Sequence, residues 1–171
     1  MNRTNESHKK LDISFQSFQQ KIANRLAFKL YLLAKLPIGA IVGLKMISLE
    51  KEQAVVGVGL HWLTKNPFQS IYFAVLAMAA ELSTAAIALA YFHTNSRSMS
   101  ILILSCNGNF HKKATGKIHF TCTDGVNIRN AISQAMNNDT AVKIMTTSIG
   151  KNENGEVVAS FSFEWSYKKR K

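Results

Sequence analysis

Between Pro67 and Phe92 the chain carries one charged side chain, Glu81, in the stretch "PFQSIYFAVLAMAAELSTAAIALAYF". A helix that is apolar all round either sits inside a protein or spans a bilayer. Ala74, Ala77, Ala79, Ala80, Ala85, Ala86, Ala88 and Ala90 make it thin, so a curved sheet can wrap it closely. A carboxylate near its middle is costly in either setting unless it is paired, hydrogen-bonded or protonated. Strand patterns on both sides favour the interior. The second apolar stretch, residues 28–44, is broken by Lys35 and Pro37. No integral membrane association is expected.

The strand patterns have a period of two. Residues 44–49 form a probable first strand, followed by the charged turn Glu50-Lys51-Glu52. In "AVVGVGLHW", Ala54, Val56, Val58, Leu60 and Trp62 alternate onto one face, with Gly57 and Gly59 on the other. Residues 98–110 and 114–124 read as a third and a fourth strand. In the fourth, Ile118, Phe120 and Cys122 share a face. Residues 125–139 read as a short helix with Ile128, Ile132 and Met136 on one side, and residues 140–150 as a fifth strand. Asn154-Gly155 is a hairpin turn. The sixth strand, "EVVASFSFEWSY", sets Val157, Ala159, Phe161, Phe163, Trp165 and Tyr167 on one side and serines and Glu164 on the other. Six strands with one apolar face need one cover, and only the 71–92 helix is apolar enough.

At the N-terminus, residues 1–13 read as disordered. Residues 14–36 read as one amphipathic helix, with Phe15, Phe18, Ile22, Leu26, Leu30 and Leu33 at three- and four-residue steps, ended by Pro37 and Gly39. The result is one α+β domain over residues 14–167, with a basic tail at 168–171.

The net charge of +11 is unevenly spread. Residues 1–36 hold seven Lys/Arg against Glu6 and Asp12, and Lys168, Lys169, Arg170 and Lys171 close the chain. The body between them is close to neutral, which argues against a nucleic-acid surface. A weaker reading makes the protein a nucleic-acid or membrane-surface adaptor through its basic ends. Cys106 and Cys122 are too few for a disulfide framework or a zinc site. His8, His61, His93, His111 and His119 show no metal-ligand spacing, so no metal and no cofactor is expected. The first fifteen residues lack the apolar core of a signal peptide, and a cytoplasmic protein is expected.

Strands wrapped around a long central helix, with "NPFQSIYFAVLAMAAE" leading into it, make the chain similar to the hotdog fold. Residues 66–81 resemble the motif of the phenylacetate-degradation-type hotdog thioesterases. That motif is an Asn, a glycine-containing loop, His-Gly-Gly, and an Asp or Glu on the central helix. Asn66 and Glu81 keep its fifteen-residue spacing. Tyr72 stands in place of the His, and Phe73 and Ala74 in place of Gly-Gly. The closing segment "NGEVVASFSFEWSYKKR" and the inserted helix look like an uncharacterised thioesterase-like hotdog group, built around a domain of unknown function. The resemblance covers roughly residues 40–167. It implies an acyl-CoA or acyl-carrier thioesterase acting on a fatty or aromatic acyl group. It also implies a homodimer or dimer of dimers, with the site between subunits.

On that resemblance Glu81 is the general base or nucleophile, and the helix start near residues 69–73 supplies N–H donors for the thioester oxygen. The plain alternative is a carboxylate hydrogen-bonded to Ser83, Ser70 or a strand hydroxyl. Asn66 either positions water or the carbonyl, or caps the helix with Pro67 in its first turn. Tyr72 is a donor to the acyl group or a core aromatic. Ser70 is a second cap or a ligand contact, and Thr84 a packing residue or a back-bonder. Phe73 and Ala74 would touch substrate through the helix start, and His61 lies near the site in sequence. Lys112, Lys113 and Lys117 in "HKKATGK", and Arg129, are weak candidates for coenzyme A phosphates; a solvated hairpin tip is the simpler reading of the first three. A non-catalytic acyl or acyl-CoA-binding module of the same fold is the alternative function.

Overall fold

The computed structural model describes residues 2–94, 99–137 and 140–170. Its elements are α1 (Asn2–Lys21), α2 (Arg25–Lys35), α3 (Pro37–Ile41), β1 (Lys45–Leu49), β2 (Ala54–Gly59), α4 (Phe73–Phe92), β3 (Met99–Phe110), β4 (Lys117–Cys122), α5 (Gly125–Asn137), β5 (Val142–Lys151) and β6 (Val157–Lys169). The strands form one antiparallel sheet in the order β1-β2-β4-β5-β6-β3. The expected ends at Ser98, Asn138, Asp139 and Lys171 fall outside the described residues.

Alternation along β6 carries the core. Phe161, Phe163, Trp165 and Tyr167 are buried in a row, with successive ring centroids 6.2, 6.4 and 6.5 Å apart. Val157 departs from the expected face and is exposed, beside the register shift between Gly150 and Lys151. The concave face closes on α4, which packs against β2, β4, β5 and β6, with α1 and α5 against it as well. Fourteen of its twenty residues are buried. The apolar helix is thus the core of the domain, as its lack of charge required. Its few polar side chains are tied in. Ser83 Oγ donates to Ala80 O and lies 2.7 Å from Ser148 Oγ. Thr84 Oγ1 donates to Glu81 O and accepts from Trp165 Nε1 at 3.1 Å.

Four further expectations change. Residues 2–13 are helical rather than disordered, because α1 runs through them to the buried anchors Leu11, Phe15 and Phe18. The expected 14–36 helix is two helices. The Asn24 side chain accepts from Ala27 N at 2.8 Å and starts α2 afresh. The break turns the second half over, so Phe28 and Leu32 are buried while Leu26, Leu30 and Leu33 face solvent. β2 stops at Gly59, and Trp62 is 78% exposed instead of sharing the inward face of Ala54, Val56 and Val58. Lys168 and Lys169 are strand, paired with Ser100 and Met99, so they are not a free tail.

Candidate active site

The loop from Leu60 to Tyr72 sets the start of α4. Thr64, fully buried, holds it from within: its Oγ1 donates to Gly59 O at 2.8 Å, and its carbonyl accepts from Tyr72 N at 2.7 Å. Asn66 organises the next turn. Its Oδ1 accepts from Phe68 N at 2.9 Å and from Ser70 N and Ser70 Oγ at 3.2 Å each. Only N–H and O–H donors reach that atom, which fixes the amide orientation and leaves Nδ2 as a free donor among the described residues. Asn66 therefore caps its own turn and not α4, which begins seven residues later with Tyr72 as backbone N-cap. Gln69 closes the turn at φ 61°, a left-handed conformation rare for a side-chain-bearing residue. Ile71 N is anchored to Ala114 O at 2.9 Å.

The first free donors of α4 follow directly. Val75 N and Leu76 N bond to Tyr72 O, while Phe73 N and Ala74 N make no hydrogen bond among the described residues. No side chain caps them. Two unpaired N–H groups at a helix N-terminus form a site for an oxygen carrying negative charge.

Glu81 lies seven residues past Ala74, about 10 Å along the axis and on the same stripe of the helix. That stripe, Ala74, Ala77, Met78, Glu81 and Leu89, is partly exposed, while the rest of α4 beyond its first turn is buried. The Glu81 carboxylate has no hydrogen bond or ion pair among the described residues. Ser83 and Ser70 are committed elsewhere. Burial, with no opposite charge beside it to offset the loss of solvent, pushes its carboxyl up from 4.5 to about 7.

Beside the helix start lies an open groove of about 370 Å³, lined by Asn66, Ser70, Phe73 and Leu76 on one side and by Phe110, His111, Lys112 and Lys113 on the other. The structure thus brings Asn66, Ser70 and Phe73 together with two of the basic residues of the 111–117 turn. Lys113 has no acidic partner among the described residues. Lys112 is paired with Glu156, and Lys117 with Glu153 at 3.1 Å. Arg129 is held by Asp12 at 3.1 Å under α1 and does not line the groove. Glu81 does not line it either: Leu76 and Glu81 are about 140° apart around α4. Tyr72 is half-exposed, its ring edge-on to Phe73 at 4.9 Å, and so is not a core aromatic. His61 does not line the groove and ties the loop to the end of α3. Leu63 N donates to its Nδ1 at 3.3 Å, and its Nε2 lies 3.2 Å from Val42 O. Phe110 and Leu76 were not legible as site residues, because only the folded sheet brings the end of β3 to the start of α4. Among the described residues no group of His, Cys, Asp and Glu could hold a metal ion.

No protein-family model matches the chain, and no curated protein matches it in sequence. Solved structures match it over most of its length. A Pseudomonas aeruginosa protein of unknown function, described as a probable thioesterase, is 20% identical at a TM-score of 0.70, over 86% of this chain and 97% of that one. A Chlorobaculum tepidum protein of unknown function is 15% identical at 0.71, over 83% and 92%. The Escherichia coli PaaI protein of the phenylacetic acid degradation operon is 15% identical at 0.55, over 82% and 89%. The likeness is one of fold: a six-stranded antiparallel sheet around a long central helix, the hotdog fold.

Proposed function

We propose that the chain hydrolyses acyl thioesters, of coenzyme A or of an acyl carrier, with Glu81 as general base. The observation that carries this reading is the Glu81 carboxylate, unpartnered on an otherwise apolar stripe of the core helix. No protein group among the described residues occupies its lone pairs, and the stripe is open enough for water to reach it. A base needs its lone pair free and a pKa near the working pH, and burial supplies the second. In the proposed step Glu81 takes a proton from water as the water oxygen bonds to the thioester carbonyl carbon. The carbonyl oxygen gathers negative charge facing the free Phe73 and Ala74 N–H groups. Collapse restores the C=O bond, breaks the C–S bond, and the departing thiolate takes the proton from Glu81. As a nucleophile, Glu81 would instead pass through an acyl anhydride that water then opens.

The groove and Glu81 open on different sides of α4, which favours a site shared between two chains. A substrate seated along Phe73 and Phe110 of one chain would meet Glu81 of the other. The free edge of β3, with Leu102 and Leu104 exposed, offers unpaired backbone groups for such a homodimer or dimer of dimers. Lys113 is the free cation placed to meet a coenzyme A phosphate, and Asn66 Nδ2 a donor to the acyl or pantetheine amide oxygens. We place this activity in the cytoplasm. Tyr72-Phe73-Ala74 in place of His-Gly-Gly leaves less room at the donor N–H groups and favours a second reading, an acyl-CoA-binding module without turnover.

One experiment separates the two. Free thiol release is followed over a panel of short, long and aromatic acyl-CoA thioesters, with wild type and Glu81→Gln. Hydrolysis is expected to fall by about 10²–10⁴-fold in the variant with binding retained. Wild type that binds acyl-CoA but hydrolyses none of the panel decides for the binding module.

A further inference from the structure

Residues 13–49 contain no Asp or Glu and five basic residues, Lys21, Arg25, Lys29, Lys35 and Lys45. The break after α1 turns Leu26, Leu30 and Leu33, at steps of four and three, onto the outer face of α2. Ile38 and Ile41 of the following α3 are about half-exposed as well. The loop bearing Trp62 and Leu63, both exposed, is fastened to the end of α3 by His61 Nε2 and Val42 O. Among the described residues Arg25, Lys29, Lys35 and Lys45 have no acidic partner. Between α2 and β1 lies an apolar hollow of about 210 Å³, walled by Phe28, Leu44 and Met46, with Arg25, Lys29 and Lys45 around it.

We propose that α2, α3 and the Trp62 loop dock the protein on an anionic lipid bilayer. Outward leucines and isoleucines beside an unneutralised set of Lys and Arg are the make-up of an interfacial amphipathic surface. The apolar side chains enter the headgroup–acyl boundary and the cations meet lipid phosphates. Trp62 adds the amphipathic ring favoured at that depth. The cationic rim over an apolar hollow has the same order of charge above hydrocarbon that a lipid presents. A second copy is the poorer occupant. Across a two-fold axis the same cations would face each other, with no carboxylate in residues 13–49 to offset them. This inference stands apart from the proposed hydrolysis and does not need it. Its consequence for that reading is a position, because the same loop continues into the α4 start where an acyl chain leaving the bilayer would arrive.

The full chain is titrated with vesicles of phosphatidylcholine alone and of phosphatidylcholine with phosphatidylglycerol, by co-sedimentation and by tryptophan emission. The protein has two tryptophans; Trp165 is 4% exposed, so a blue shift reports Trp62. Binding is expected only to the anionic vesicles, with a blue shift, and weakening as salt is raised. Leu30→Asp and Lys29→Glu, both exposed and outside the candidate active site, should keep the fold and its urea midpoint. Each should lower vesicle affinity about tenfold or more. Absence of binding to anionic vesicles overturns the proposal, as does equal binding to neutral ones. So does a wild-type oligomer that Leu30→Asp splits while neither protein binds vesicles, which would assign the face to a second copy.

Discussion

Replacing Glu81 by Gln should stabilise the protein at alkaline pH and leave it nearly unchanged in mild acid. Burial raises the Glu81 carboxyl from its ordinary 4.5 to about 7. Below about pH 4.5 the group is protonated in both the folded and the unfolded chain and contributes no difference. Between 4.5 and about 7 the unfolded chain releases the proton and the folded one keeps it, so stability falls as pH rises. Above about 7 both are ionised and the full cost remains. At about 1.4 kcal/mol per tenfold, the displacement corresponds to roughly 3 kcal/mol. The carboxylate is only partly enclosed, so solvent screening reduces this to about 1–3 kcal/mol. Gln carries no charge at any pH and keeps the volume. Urea unfolding at fixed protein concentration, at about pH 5 and about pH 8, should therefore show the variant gaining about 1–3 kcal/mol more at the higher pH. Other titrating groups cancel in the difference between the two proteins. An equal difference at both pH values, or a variant destabilised at both, would refute the account of Glu81 as a largely enclosed carboxylate without a protein partner.

Three substitutions test the scaffold around the site by urea unfolding. Thr84→Val removes the acceptor that the buried Trp165 Nε1–H has among the described residues and should cost about 1–3 kcal/mol. Gly150→Ala places a Cβ 2.5 Å from Phe120 Cε1, within the β4–β5 pairing, and should cost about 1–3 kcal/mol through overpacking. Gln69→Gly relieves the positive φ in the Asn66 turn and should raise stability by up to about 1 kcal/mol.

The strands were legible because most of them bury one face, and alternation at positions such as Phe161 to Tyr167 leaves no other register. The central helix was legible because no other element could hide so many apolar side chains. Boundaries were less so. Asn66-Pro67 reads as a helix start, yet Asn66 Oδ1 closes a separate turn, and Thr64 carries the chain on to Tyr72 before α4 begins. The break before α2 had a local signal, Asn24 as a cap, but the apolar steps from Phe15 to Leu33 run straight across it. For the candidate site, the resemblance pointed to Glu81 and Asn66. It held no sign that Glu81 lacks a partner, or that Lys113 is free while Lys112 and Lys117 are paired. Those facts depend on hydroxyls and carboxylates far away in the chain, such as Ser148 beside Ser83 and Glu156 beside Lys112. Sequence periodicity carries no record of them.

The most direct test of the central claim is the pH dependence of kcat/KM for the best acyl-CoA substrate, between about pH 5 and pH 9, which reports the essential base of the free enzyme. The account predicts a rate that rises about tenfold per pH unit and levels off above about 7, with the rise abolished in Glu81→Gln. A rate that does not change across that range, or a residual rate in Glu81→Gln with the same rise and the same midpoint, would contradict it.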